Sequence, residues 1–446
     1  MKDQILKIKN ANSPLLKVFF ILIMTLLLMI PNMLIQNLII ERSQRKATIE
    51  AEVSKSYGQE QKVMAPILRI PYTVVTENKD GTTFSKTGTI SSTPTETDVV
   101  GDLNTATRKR SIYKVVVYDA NLDIKSKISL PSLTDEAFAQ HTFHYDQAHI
   151  LIGLSDPHGL SDSSTFKING TSLALNGLST FRNSNLRYIQ SENFTYAPGK
   201  PLDVEVGLGL RGTKSLMIEP NGIRMKITMN SPWPDPSFVG KQLPVSSDIN
   251  NGFTSTWITN QYSHYHPAFW VDDHQLKNRD SAFGVNLIQP VSEYGKNSRT
   301  AKYALLIISL TFGIFFFFEI LQKKRVHPIQ YILIGFALTV FYLLLLSITE
   351  HLGFDKAYGI ASAATIGLIV TYARPILETR KSIGALGILL SGLFTYIFVI
   401  LQMQEFALLA GSLALFAVLS LVMMLSRKVD WYKLNQPLNN KHESTL

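Results

Sequence analysis

Hydrophobic positions along this chain fall into two regimes. From Val18 to Ile40, and again through much of the last third, apolar residues run on without a polar face. Over residues 42–299, apolar and polar positions instead alternate in short stretches broken by Gly, Asn, Pro and Ser. The first regime predicts membrane-spanning helices. VFFILIMTLLLMIPNMLIQNLII, residues 18–40, is long enough at ~1.5 Å per residue to cross a hydrocarbon core of ~30 Å. Five further segments have the same character: Tyr303 to Leu321, Ile329 to Ile348, Ala357 to Ala373, Ser382 to Leu401 and Phe406 to Leu425.

The second regime predicts strands. Residues 102–130 contain the β-branched run YKVVVY, followed by Leu122, Ile124, Ile128 and Leu130 on one face with Asp123, Lys125 and Lys127 on the other. Residues 202–210 alternate again through Leu202, Val204, Val206, Leu208 and Leu210. After the turn signals RGTKS and EPNG, RMKITM (224–229) supplies another strand. Many short strands between turn clusters predict a mainly antiparallel β domain of two packed sheets. Residues 41–60 are charged and strand-poor, and are expected to continue the first span outward as a helix.

Charge sets the expected orientation. Lys2, Lys7, Lys9 and Lys17 precede the first apolar run. A basic start also marks a cleaved secretory signal, but no small-x-small cleavage site follows Ile30 and the run continues through Pro31 and Asn32, so an uncleaved anchor is expected. The connections QKKRVHP (322–328), ARPILETRK (373–381) and SRKVDWYK (426–433) are basic, whereas TEHLGFDK (349–356) and QMQE (402–405) carry little positive charge. By the positive-inside rule, six spans result, with both termini cytoplasmic and the β domain outside. Tyr303, Tyr331, Tyr358, Tyr372, Trp431 and Tyr432 fall near predicted span ends, where amphipathic rings favour the headgroup region.

Composition narrows the chemistry. The chain of 446 residues is 46% hydrophobic and 17% charged, which suits a soluble domain joined to membrane spans. It has no cysteine, which removes disulfides, thiolate zinc sites and cysteine nucleophiles. Its net charge of +9 is concentrated beside apolar spans, so nucleic acid is not the expected partner.

Four features are candidates for chemistry. In SHYHPAFWVDDH (263–274), His264 and His266 can share one face of a strand, and Asp272, Asp273 or His274 could add a ligand. The spacing nevertheless matches no established metal motif, so a solvated loop anchored by Tyr265, Phe269 and Trp270 is expected. SPWPDPSFVG offers extended proline-rich backbone with aromatics. It is either a recognition surface or, as favoured, a sheet edge with Trp233 and Phe238 filling the core. Glu319, Glu350 and His351 lie near span ends, accompanied in short loops by Arg374, Glu378 and Arg380, and the carboxylates are expected to snorkel to the interface. Gly359, Ala363 and Gly367 recur every four residues, a stripe on which a neighbouring helix can seat closely.

The run SPWPDPSFVGKQLP (231–244) resembles the Trp-Pro-x-Pro-Ser-Phe-x-Gly segment of the bacterial inner-membrane protein family CreD. VMAPILRIPY (63–72), the RGT turn at 211–213, SAFGVNLIQPVSEY (281–294), the RTAKYALLIISLTFGIFFFFE entry into the second span, HPIQYILIGFALTVFYLLLLSITEHLGF (327–354) and VDWY are similar to the same family. The resemblance implies an envelope protein linked to a two-component response, with a part in envelope integrity and in tolerance of envelope-directed toxins and antibiotics. It brings no catalytic residue, cofactor or ligand.

Together these readings give a mixed membrane protein: a cytoplasmic N-terminus (1–17), an anchor (18–40), a periplasmic β-rich domain (41–302), a five-helix bundle (303–425) and a cytoplasmic tail (426–446). Its expected role is non-enzymatic, with the bilayer and an unidentified envelope component (lipid, glycan or protein) as partners and no metal or cofactor. A transporter bundle with a periplasmic accessory domain and a metal-dependent periplasmic hydrolase are the rival expectations.

Overall fold

A computed structural model describes residues 14–77, 83–131, 133, 138–181, 184–272, 280–287, 293–322, 326–377, 379–402 and 407–427. The chain divides into two compact units: the first is residues 1–45 with 291–446, and the second is residues 46–290.

Helix α1, Pro14–Tyr57, runs from the first unit into the second, as the helix-favouring composition of residues 41–57 leads one to expect. Pro31 lies inside it; proline is tolerated in apolar helices where neighbouring groups satisfy the freed backbone. The helix stops at Gly58, whose φ of +148° suits glycine and whose N–H still donates to Ser54 O at 2.9 Å. A methyl at Gly58 would collide with the Arg211 carbonyl, so the stop is fixed by the strand packed against it.

The second unit is built on two sheets. The first has the strand order β14-β18-β12-β1-β6-β10-β9, with β2 and β5 also on β1 and β17 on β2. Its members are β1 (Gln61–Glu77), β2 (Thr83–Ser92), β5 (His141–Phe143), β6 (His149–Leu154), β9 (Leu175–Thr180), β10 (Arg187–Ser191), β12 (Ser215–Glu219), β14 (Pro236–Gly240), β17 (Phe269–Val271) and β18 (Phe283–Leu287). The second sheet has the order β15-β16-β13-β3-β4-β11-β7-β8. It comprises β3 (Glu96–Arg110), β4 (Tyr113–Ile128), β7 (Thr165–Ile168), β8 (Thr171–Ser172), β11 (Leu202–Thr213), β13 (Arg224–Ser231), β15 (Ser246–Asp248) and β16 (Phe253–Asn260). Pairing is mainly antiparallel, but β1 runs parallel to β12 and β13 runs parallel to β3.

Period-two burial organises the core. On β4, Leu122, Ile124 and Ile128 are buried while Asp123, Lys125 and Lys127 are exposed, and all five alternating apolar residues of β11 are buried. These side chains form one core with Leu68, Ile70, Ile150, Leu216 and Val285 of the first sheet. The first sheet is covered on its other face too: Met64, Ile67, Leu151, Phe181, Tyr188 and Trp270 form a second cluster. The exposed face of the second sheet carries charges of alternating sign. Across the strands, Lys226 faces Asp98, Asp98 faces Lys125 and Lys125 faces Glu205. Each such cross-strand pair contributes roughly 0.2–1 kcal/mol.

The other unit is helical. With α1 it comprises α2 (Glu293–Lys302), α3 (Ala304–Leu321), α4 (Pro328–Leu352), α5 (Phe354–Leu377), α6 (Arg380–Gln402) and α7 (Ala407–Ser426). Five of these helices (α1 and α3 to α6) are long and apolar enough to cross a membrane. The chain breaks between α2 and α3, and the Ala301 carbonyl near that joint accepts from Asn32 Nδ2 at 3.1 Å and Gln36 Nε2 at 3.4 Å. The first span thus sits beside the second, on a buried stripe of Met24, Leu28, Asn32, Ile35 and Ile39. Leu28 also fills the space where a side chain at Gly335 of α4 would lie.

Three expectations need correcting here. Gly359, Ala363 and Gly367 face away from the bundle: all three are exposed, and a side chain at Gly359 or Gly367 would meet nothing within 4 Å. The packed face of α5 is instead Phe354, Ala357, Tyr358, Ala361, Ser362, Thr365 and Ile369. Nor does Glu319 snorkel. It is buried and ion-paired with Lys17 of α1, and Tyr331 donates to it at 3.2 Å. Tyr331 and Tyr358 are likewise interior residues, not interfacial belts, since Tyr358 donates to Phe394 O at 2.8 Å. Trp431 and Tyr432 lie outside the described residues.

Candidate functional site

The histidine stretch is structural rather than solvated. His264 is buried, its Nε2 lying 2.6 Å from Gly222 O while its Nδ1 accepts the His266 N–H at 3.2 Å. That geometry requires the neutral ring with the proton on Nε2. Burial pushes its pKa below the usual histidine value, the bond to Gly222 opposes that, and the neighbouring His266 adds to the lowering. Gly222 has φ +115° and packs against the Pro94 carbonyl, so His264 pins a turn that only glycine fills easily.

His266 turns to Glu219, 3.5 Å away. Glu219, buried at the end of β12, also accepts the Ser281 N–H at 3.2 Å and lies 4.0 Å from Lys62 Nζ. Lys62 in turn binds Asp280 at 2.9 Å. Burial alone would raise the Asp280 pKa, but bonds from Lys62 and the Ala282 N–H outweigh it and hold the carboxylate below its ordinary value.

Asp272 is elsewhere, its carboxylate accepting the Thr89 N–H at 3.0 Å beside Tyr72. The Tyr72 hydroxyl is pushed up to about 12 by burial and then by the Asp272 charge. The candidate ligands are therefore separated, and among the described residues no three His, Asp or Glu side chains gather as a metal site. Asp273 and His274 lie outside the described residues. Of the expected loop anchors only Trp270 is buried; Tyr265 and Phe269 are exposed.

The last five residues of SPWPDPSFVG form the edge strand β14, and Trp233 and Phe238 are partly buried against the main core, in line with the favoured expectation. In the bundle, Glu350 accepts from Tyr294 at 3.2 Å and pairs with Arg42 at 3.8 Å. Lys296 binds Asp355 at 3.3 Å and Gln402 at 3.1 Å. His351, Arg374 and Arg380 are exposed, and Glu378 lies outside the described residues.

Sequence reading missed a groove of about 430 Å³ in the second sheet. Asp102 and Asn104 of β3 form one side, Asn230 of β13 contributes to the wall, and the turn Asp248–Gly252 entering β16 closes the other. Asn230 donates to Asp102 at 3.0 Å, and Asp248 holds its turn by accepting from Asn250 N–H and Nδ2. Among the described residues, the side chains of Asn104 and Asn251 have no protein hydrogen-bond partner, so the rim offers amide donors and acceptors to a ligand. The polar residues come from three separated segments, and only the Asn-Asn-Gly turn was visible locally.

The family described as inner membrane protein CreD matches residues 13–432 of this chain. The chain belongs to the CreD family. The inner membrane protein CreD of Escherichia coli K12 is 31% identical over 422 residues, covering 92% of each chain. Three of the segments that carried the CreD resemblance, at 63–72, 231–244 and 281–294, supply β1, β14 and β18, which with β12 make up adjoining strands of one sheet. The RGT residues at 211–213, expected as a turn, instead end β11, and Lys214 with φ +62° connects them to β12. Among solved structures, an M1 zinc metallopeptidase of Deinococcus radiodurans aligns at 11% identity and TM-score 0.22, over 43% of this chain and 42% of that one. Another M1 zinc metallopeptidase structure, a two-domain form bound to L-arginine, aligns at 10% and 0.21, over 48% and 52%. Likenesses that slight carry no argument for this chain.

Proposed function

We propose that this CreD-family protein is a non-enzymatic element of envelope integrity and stress response, whose β domain lies in the periplasm and binds an envelope component. Six spans with both termini cytoplasmic agree with the loop charges, α7 being the sixth. The observation that carries the reading is the amide-rimmed groove. It is open, Asp102 is held by Asn230 and Asp248 by its turn, Asn104 and Asn251 keep their amides free for a ligand, and these side chains suit hydroxyls and amides better than an apolar ligand. A glycan is therefore the component it fits best. The test is a photo-crosslinking residue at Asn251 in intact cells, with one at Ser172 as reference. A glycan-bearing adduct specific to Asn251 supports the reading, and equal adducts at both positions sink it.

One observation favours the transporter reading as second choice. Among the described residues, Asn32 Oδ1, both polar atoms of Asn297, Thr311 Oγ1 and the Tyr342 hydroxyl are buried in the helical unit with no hydrogen-bond partner. Such groups are costly in an apolar medium unless water or a solute reaches them. Substrate-dependent uptake into vesicles that is lost in Asn297→Leu would move this reading ahead.

A further inference from the structure

We propose that the tip of the β3–β4 hairpin is a docking surface for anionic phospholipid headgroups. β3 and β4 stay paired from Glu96 opposite Lys127 out to Arg110 opposite Tyr113. Their outer neighbours stop sooner: β13 follows β3 only to Asp102, and β11 follows β4 only to Val117. The hairpin therefore projects as a two-stranded arm. Its end carries Arg108, Lys109, Arg110 and Lys114, all exposed, around a turn whose Ser111 has φ +57° and whose Ile112 is 39% exposed.

The charge pattern here differs from that of the sheet behind it. Opposite signs face each other across the sheet, but at the tip Lys109 stands directly opposite Lys114. Like charges in that position oppose strand pairing. Among the described residues neither lysine has an ion-pair partner, so the arm keeps a positive charge that its own fold does not neutralise.

The arm also has a direction. Tyr57 near the end of α1 donates to Asp119 at 2.9 Å and lies under Arg108 at 5.8 Å, while Arg110 pairs with Glu52 at 3.1 Å. Moving outward along the arm thus moves backward along α1. The tip therefore lies toward the Glu52 end of the Glu52–Tyr57 helix segment. An isoleucine at the apex of a basic turn suits a headgroup layer: phosphates meet the cations, and the apolar side chain enters the boundary beneath them. The inference does not depend on which face of the membrane the domain occupies, nor on the groove.

The chain has no cysteine, so Ile112→Cys provides a single attachment point for a polarity-sensitive dye in the full-length protein. The labelled protein is reconstituted into vesicles of phosphatidylcholine alone, or with about a third phosphatidylglycerol, each doped with spin-labelled lipid. Quenching is expected to be at least about threefold stronger in the anionic vesicles and to vanish at ~1 M salt, where the screening length falls to about 3 Å. Lys109→Gln with Lys114→Gln, which leaves the buried face of the arm untouched, is expected to abolish the difference, and a label at Ser172→Cys to show none. Equal quenching in both vesicles would mean apolar contact without charge recognition. No quenching at position 112, or the same response at position 172, would equally overturn the proposal.

Discussion

Replacing His264 with alanine tests the buried turn directly. The substitution removes the donor to Gly222 O, a 2.6 Å bond, and leaves that carbonyl buried. An unsatisfied buried carbonyl costs about 1–3 kcal/mol, and the lost ring packing adds a smaller amount, for a total of roughly 3 kcal/mol. In a unit of this size, residues 46–290, each kcal/mol moves the midpoint by about 2–4 °C, so His264→Ala is expected to lower it by roughly 6–12 °C. The assay is thermal unfolding of that unit produced alone, followed by near-ultraviolet circular dichroism. The same histidine makes stability depend on pH. Its folded-state pKa is depressed, so the unfolded chain binds the proton more readily. The stability is complete above the unfolded value of about 6.5 and is lost as pH falls from there through the folded value. His264→Ala should flatten that decline. A mutant with an unchanged midpoint and an unchanged pH profile would refute the claim that His264 holds the turn.

Other outcomes follow from the helical unit. Lys17→Met leaves Glu319 buried without its cation and should cost about 2 kcal/mol in detergent-solubilised protein, less than for a fully enclosed pair because Lys17 is 36% exposed; adding Glu319→Leu should restore most of the loss. If the double variant is worse than the single, the pairing argument fails. Gly359→Leu with Gly367→Leu should leave membrane abundance and thermal stability of the monomer unchanged, because both positions open outward; a marked fall would reinstate the stripe as a packing seam. A reporter active only in the cytoplasm should work when fused after Arg325, Arg380 or Lys428 and be silent after Lys296 or Glu405, and activity after Lys296 would invert the topology.

What could be read from sequence depended on how many faces a segment buries. β4, β11 and β13 bury one face, so their alternation was legible. β6, with all six residues buried, and β1, packed on both sides, carry no such period and went unread as strands. The glycine stripe of α5 has the same spacing whether it meets a helix or lipid, so its direction was not encoded locally. Glu319 looked free to snorkel because its partner Lys17 lies 302 positions away. His264 was read as part of a solvated loop for the same reason: the loop is there, but the acceptor that buries this ring, Gly222, belongs to another turn.

The clasp of Asn32 and Gln36 on Ala301 bears on how the molecule is made. The first span enters the membrane before its partners exist, because the β domain is encoded between them. At ~5–20 residues per second, the ~250 intervening residues take roughly ten to fifty seconds to synthesise. Throughout that interval Lys17, Asn32 and Gln36 lack Glu319 and Ala301, leaving a strongly apolar anchor with polar side chains unpaired in or beside the lipid. Nascent chains stalled before residue 301 should therefore be easier to extract from membranes than finished ones, and should be good substrates for membrane chaperones and proteases.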